Sequence, residues 1–338
     1  MTVKPLQIGS VHTSTNLVLA PMSGVTDSAF RRMVKHCSGD RVGLLVSEFV
    51  AAEGLTRDNA KTLRMLRYLE SERPISIQIF GADVDRMVRA ARMVEDAGAD
   101  IVDINCGCPA PKVVKRGGGA QLLREPDRLT GIIRETVRSV RIPVTVKIRS
   151  GWDDASLNAG DIARRVEGAG ASMLAVHGRT RVQLYSGRAD WGVVSMTREM
   201  LGIPVLGSGD VTTPGHAVAL LARGAADGLM IGRAAMSNPW IFAQIADTAA
   251  GRPVVAPDAT ALVAALTVFR DALRETLPDH AFIGRYRGIA CHFVKGMRGS
   301  AAARAAIGAV KTVEEIDSIF ADFVFGELGM PLQKLAAG

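Results

Sequence analysis

Short apolar runs rich in β-branched residues recur along most of the chain, and helix-periodic stretches lie between them. The runs predict eight strands: Asn16–Ala20, Gly43–Glu48, Ile75–Phe80, Asp100–Asn105, Pro143–Arg149, Ser172–His177, Pro204–Ser208 and Asp227–Ile231. Helices are predicted over Asp27–Lys35, Asp85–Ala97, Asp127–Val140, Asp161–Ala169 and Pro214–Arg223, several opened by Asp or closed by Gly, as in Asp96-Ala97-Gly98 and Ala169-Gly170. Strand alternating with helix through eight strands is the arithmetic of an α/β fold of the (β/α)₈ TIM barrel type. A doubly wound sheet alternates in the same way, but the strand count and the polar residues at the strand ends favour the barrel.

After the barrel the pattern changes. Gly251–Pro257 contains two prolines and reads as a linker. Ala259–Leu277 and Gly284–Met297 then carry helical periodicity, and no strand pattern follows. The chain is expected to divide into a barrel domain, 1–250, and a C-terminal helical domain, 258–338. On the second helix Tyr286, Ile289 and Phe293 share one face, with Arg285, His292 and Lys295 on another. Charge is segregated here: six Lys/Arg and no acid lie between Arg285 and Lys311, then five acids and no base between Glu314 and Glu327. A helix face exposed only to solvent would mix its signs, so a basic patch for a polyanion is expected.

Composition narrows the class. The 338 residues are 48% hydrophobic, enough for a sizeable core, and carry a net charge of +7. No stretch reaches the ~18–20 uninterrupted apolar residues of a membrane span. The segment MTVKPLQIGS lacks the basic-then-apolar layout of a signal peptide. A cytoplasmic protein without a membrane partner is therefore expected. Cys37, Cys106, Cys108 and Cys291 are scattered in a way that fits neither a disulfide framework nor a zinc site, so no metal is expected.

In a barrel the chemistry sits at the C-terminal strand ends. Every predicted strand here ends in distinctive groups: Pro21-Met22-Ser23, Ser47-Glu48, Gln78, Asn105 with Cys108, Lys147 with Arg149, His177-Gly178-Arg179, Ser208-Gly209-Asp210 and Gly232-Arg233. The glycines of GSGDV and IGR would let backbone amides approach a phosphate after the last two strands, or would merely make tight turns. Gln78 suits a two-point amide contact with a heterocycle. Lys147 suits the pyrimidine edge of a reduced flavin or a structural ion pair, and His177 a redox site or a satisfied core position. Three roles are open to Cys108: proton donor or acceptor, covalent nucleophile, or inert thiol. Lys112, Lys115 and Arg116 nearby would favour its thiolate.

Taken together, LAPMSGVTDSAFRR, QIFGAD, INCGCPAPKV, VKIRSGW, VHGRTRVQLYSGRADW, GSGDV and DGLMIGRAAMSNPWIF resemble, in order and spacing, the tRNA-dihydrouridine synthases. HFVKGMRGS, from His292, resembles the helical domain of their bacterial B-type subfamily. The resemblance implies an oxidoreductase that reduces uridine in the tRNA D-loop, with FMN as cofactor and NADPH (or NADH) as reductant. Hydride would pass from the flavin to uracil C6, and Cys108 would protonate C5. Carried over by position, Pro21, Met22 and Ser23 would line the flavin, Gln78 would contact its pyrimidine edge, and Lys147 and His177 would lie near its redox end. Ser208, Gly209, Asp210, Gly232 and Arg233 would hold the ribityl phosphate region, and Asn105 and Arg179 the uracil. Arg285, Arg287, Lys295 and Arg298 are expected on the tRNA backbone, in a monomer needing no obligate protein partner. Three departures stand out: Ser208 replaces the Asn common in the family, Cys106 adds a second thiol, and Ala110-Pro111 stiffens the loop behind Cys108.

Overall fold

The computed structural model describes residues 2–277 and 279–328, so the end of the expected helical domain, 329–338, lies outside the described residues. The chain opens with an antiparallel hairpin, β1 (Leu6–Ile8) and β2 (Val11–Thr13). Its strands are too short to leave a periodic signal, and it was not predicted. Leu6 and Ile8 pack with Val18, Leu44, Ile101, Met173, Leu206 and Met230, forming an apolar floor inside the barrel.

The barrel strands are β3 (Leu17–Leu19), β4 (Leu44–Val46), β6 (Ile75–Phe80), β7 (Ile101–Cys106), β8 (Val144–Arg149), β9 (Met173–His177), β10 (Val205–Ser208) and β11 (Gly228–Ile231). A two-residue β5 (Val50–Ala51) continues the second strand beside Ile79 and Phe80. All barrel pairings are parallel, and β11 against β3 (Met230 beside Val18) and β4 against β6 (Leu45 beside Ile75) close the ring. The predicted strands are thus all present, and the predicted (β/α)₈ topology with them.

Strand alternation decides where the site lies. Val102, Ile104 and Cys106 of β7 face the helical layer and pack with Leu129, Ile132 and Ile133. Ile101, Asp103 and Asn105 face inward. Above the apolar floor, the inward face turns polar on β6 to β9, with Gln78, Asp103, Asn105, Thr145, Lys147, Arg149 and His177.

The predicted helices are found at Ser28–Ser38, Val84–Asp96, Pro126–Ser139, Ala159–Gly168 and Pro214–Ala222. Trp191–Glu199, capped by Asp190, and Ile241–Ala249 are additional. After 251–257, which form neither helix nor strand, come Ala259–Thr276, Asp279–Phe293, Ser300–Ala309 and Val313–Leu328. Helix Ala259–Thr276 packs along Ser28–Ser38, with Phe30 and Phe269 edge to face at 6.4 Å. Tyr286, Ile289 and Phe293 are buried, as their shared face predicts, and the core runs unbroken from barrel into helical region.

Candidate active site

Asn105 ends the inward row of β7 and turns the chain over the barrel mouth. Its Oδ1 accepts from the backbone N–H groups of Gly107 and Cys108, at 3.1 and 2.8 Å. Pro111–Val114 forms one helical turn behind the loop, started by its proline. Gly119 then brings the chain back, letting the Ala120 N–H donate to the Cys108 carbonyl at 3.0 Å. Its φ of +58° suits glycine, and a Cβ there would lie 2.7 Å from that carbonyl oxygen.

Cys108 is half-buried at the mouth. Burial pushes its thiol above the ordinary value, against partial lowering by the Ala110 backbone and by Arg149 and Lys147. The expectation of a thiolate favoured by Lys112, Lys115 and Arg116 is corrected: those side chains are exposed, and burial outweighs the two cations that do act. Cys106 is fully buried on the helix-facing side of β7, where burial keeps its thiol protonated.

Arg149, noted in the sequence without an assigned role, is 3% exposed. It donates to the carbonyls of Gly107 (2.9 Å), Thr180 (2.8 Å) and Leu184 (2.9 Å), tying the Cys108 loop to the loop after β9. Lys147 is half-buried, and Asp103 and Cys108 act on it through space without a hydrogen bond. Burial, aided by Arg149, lowers its ammonium to about 8. Burial and the charges of Lys147, Arg149, Arg179 and Arg233 push His177 down to about 2, so its imidazole is neutral.

Gln78 and Asn105 meet directly, with Asn105 Nδ2 donating to Gln78 Oε1 at 2.7 Å. Arg179 lies deeper than an open uracil contact would require. It is 2% exposed and donates to the carbonyls of Ser186 (3.0 Å) and Gly187 (2.8 Å) and to both oxygens of Asp210 at 2.8 Å. Asp210 also accepts from the Ala189 N–H at 2.8 Å and Arg233 at 3.4 Å. Burial would raise its carboxyl, but that amide and the two guanidiniums outweigh it and hold the group below the usual range. An ionised carboxylate can only accept, and Asp210 accepts from both arginines.

Gly209 and Gly232 let the chain pack closely where β10 and β11 end. A Cβ on Gly209, at φ +121°, would lie 2.5 Å from Ala189 Cβ and 3.0 Å from His177 Cδ2, and one on Gly232 would lie 3.2 Å from Met22 Sδ. Pro21 and Met22 are half-buried, Ser23 is exposed, and Ser208 is buried. Tyr185 was not singled out from the sequence. It is 57% exposed, and Arg233 and Arg149 lie 4.8 and 5.8 Å from its ring centroid.

The basic residues of the helical region separate into two sets. Arg285 and Arg287 turn inward: Arg285 bonds Asp27 and the Val25 carbonyl, and Arg287 donates to the Val310 carbonyl. Of the residues expected on the tRNA backbone, Arg285 and Arg287 are thus engaged within the protein. Lys295, Arg298 and Lys311 are exposed. Among the described residues no cluster of three or more His, Cys, Asp or Glu side chains could hold a metal, and no helix is long and apolar enough to cross a membrane.

The closed barrel with its polar mouth defines a (β/α)₈-barrel enzyme. A family model described as dihydrouridine synthase matches residues 18–322, and the chain belongs to that family. It is 44% identical over 236 residues to a probable tRNA-dihydrouridine synthase of Rhizobium leguminosarum bv. phaseoli, covering 70% of this chain and 73% of that one. It is 40% identical over 286 residues to tRNA-dihydrouridine synthase B of Pseudomonas putida, covering 84% and 82%. That similarity bears out the resemblance to the B-type subfamily. Among solved structures, histamine dehydrogenase from Rhizobium sp. 4-9 matches with a TM-score of 0.56 at 14% identity, over 78% of this chain and 50% of that one. The chain thus spans half the length of that dehydrogenase, and the likeness is one of fold.

Proposed function

We propose that this protein reduces uridines of the tRNA D-loop to 5,6-dihydrouridine, with FMN as cofactor, NADPH (or NADH) as reductant and Cys108 as proton donor. The observation that carries the reading is Cys108, a thiol kept protonated by burial and set over the barrel mouth by Asn105. A nucleophilic cysteine needs a lowered pKa, and an inert one has no need of a loop fixed at both ends.

The residues present fit a flavin. Lys147 is a half-buried cation without a hydrogen-bonded anion, and burying such a charge is costly unless something balances it. The pyrimidine edge of a reduced flavin would do so, with Gln78 beside it. Gly209 and Gly232 would present backbone amides to the phosphate, with Ser208 and Arg233 near it and Pro21, Met22 and Ser23 along the ring. When bound, the flavin supplies the hydride delivered to uracil C6. Cys108 supplies the proton for C5, Asn105 orients the uracil, and neutral His177 donates or accepts a hydrogen bond without adding charge. Arg179 and Asp210 shape the loop around them.

A uridine stacked within tRNA cannot reach a barrel mouth and must be splayed out. Lys295, Arg298 and Lys311 suit phosphate contacts that hold the rest of the RNA. The protein would act on tRNA in the cytoplasm without a membrane or protein partner.

Mass spectrometry of unmodified tRNA incubated with enzyme and NADPH tests the reading. Dihydrouridine is expected, falling by about 10²–10⁴-fold in C108A. Bound FMN and NADPH oxidation without product would shift the substrate to a free pyrimidine or another RNA. No flavin and no product would remove the oxidoreductase reading.

A further inference from the structure

Asp103 is 1% exposed and sits two residues before Asn105 on the same inward face of β7. It has no part in the proposed reaction. Its Oδ2 accepts from Gln78 Nε2 at 2.6 Å and its Oδ1 from Thr145 Oγ1 at 2.5 Å. Gln78 Oε1 accepts in turn from Asn105 Nδ2 at 2.7 Å, and Asn105 Oδ1 from the Gly107 and Cys108 amides. These bonds form one chain from the Cys108 loop down to a buried carboxyl group, with every donor pointing toward Asp103.

The direction of the chain matters because a primary amide donates on one side and accepts on the other. An acceptor at the foot makes Gln78 present Nε2 downward and Oε1 upward. Asn105 must then present Nδ2 to Gln78 and Oδ1 to the loop. Turning either amide over would set donor against donor. Burial raises the Asp103 carboxyl, but in either protonation state one oxygen remains to accept from Gln78.

We propose that Asp103 is a positioning residue for the Cys108 loop, acting through Gln78 and Asn105. The full-length protein, treated with iodoacetamide and followed at the Cys108 peptide by mass spectrometry, tests this, with half-buried Cys291 as internal reference. D103L removes the acceptor and orphans a buried donor, so Cys108 is expected to react about tenfold faster or more, with Cys291 unchanged. D103N keeps an acceptor for Gln78, because the Thr145 hydroxyl can turn from donor to acceptor, so its Cys108 rate is expected to stay within about threefold of wild type. Should D103L not fold, Q78M cuts the same chain one bond higher and is expected to speed Cys108 alike. Unchanged Cys108 reactivity in the folded variants, D103N behaving as D103L, or an equal acceleration at Cys291 would each overturn the proposal. Its importance for turnover rests on the proton-donor reading, but the alkylation test does not. A Cys108 held in this way yet dispensable for dihydrouridine formation would overturn that reading and leave this one standing.

Discussion

Arg285 donates to Asp27 Oδ2 from Nε at 3.0 Å and from Nη2 at 2.8 Å. Nη2 also donates to the Val25 carbonyl at 2.7 Å, so the helical region grips the segment just after Pro21, Met22 and Ser23. The other Asp27 oxygen caps helix Ser28–Ser38 by accepting from Phe30 N–H at 2.9 Å. R285M is therefore expected to lower stability by about 1.5–3 kcal/mol, the worth of hydrogen bonds to a charged group. Urea denaturation measures the loss, and a midpoint equal to wild type would remove Arg285 from the seam.

Lys295 and Arg298 are expected to behave oppositely, since both are exposed. K295E/R298E should leave the urea midpoint unchanged and weaken tRNA binding. If each touches one phosphate, the slope of log affinity against log salt falls by about 1–2 in magnitude. Binding isotherms across a salt series measure it, and an unaltered slope would place the RNA elsewhere.

The contrast between inward Arg285 and exposed Lys295 shows what was legible in the sequence. Helical periodicity correctly grouped Tyr286, Ile289 and Phe293, because burial on one face leaves a repeat. It could not show that Arg285 faces the barrel, because an arginine meeting Asp27 across 258 residues leaves no local trace. The strands were readable because each apolar run stops at a polar group. Cys108 stood out for the same reason. Asp103 did not, because a single polar residue inside an apolar strand carries no sign of the partners on β6 and β8 that satisfy it. That Lys112, Lys115 and Arg116 do not govern the Cys108 thiol was not legible either, since sequence proximity does not reveal which charges share a buried space.

A fully buried ion pair lies beside the same segment that Arg285 grips. Arg31 Nε and Glu72 Oε2 lie 2.6 Å apart with side chains 1% and 0% exposed. Arg31 also donates to the Thr26 carbonyl at 2.8 Å, and Glu72 accepts from Ser28 and from Leu69 N–H. R31M leaves a buried carboxylate without its cation and is expected to cost about 3–5 kcal/mol, whereas R31M/E72M is expected to be more stable than R31M alone. Chemical denaturation of the three proteins decides it, and a double variant weaker than R31M would mean that the Glu72 hydrogen bonds outweigh the ion pair.

On the flavin reading, Lys147 is expected to link stability and activity with opposite signs. Burial lowers its ammonium from the ordinary 10.5 to about 8. Below pH 8 the folded protein carries the buried charge, and its cost is fully present. Between about 8 and 10.5 the unfolded chain binds more protons than the folded one, so the lysine's contribution to stability improves as pH rises through that window. Over the same window the site loses the positive charge that the flavin reading assigns to the pyrimidine edge. Flavin reduction by NADPH without tRNA is therefore expected to slow on the alkaline side, where Lys147 loses its proton, and leaving out tRNA separates this step from the Cys108 proton. K147R holds its charge to higher pH, so the alkaline limb should move up by about one unit or more, even with a lower maximal rate. Stopped-flow reduction across about pH 6–10, a range that spans the Lys147 titration, is the measurement. A limb that stays in place in K147R would assign the titration to another group.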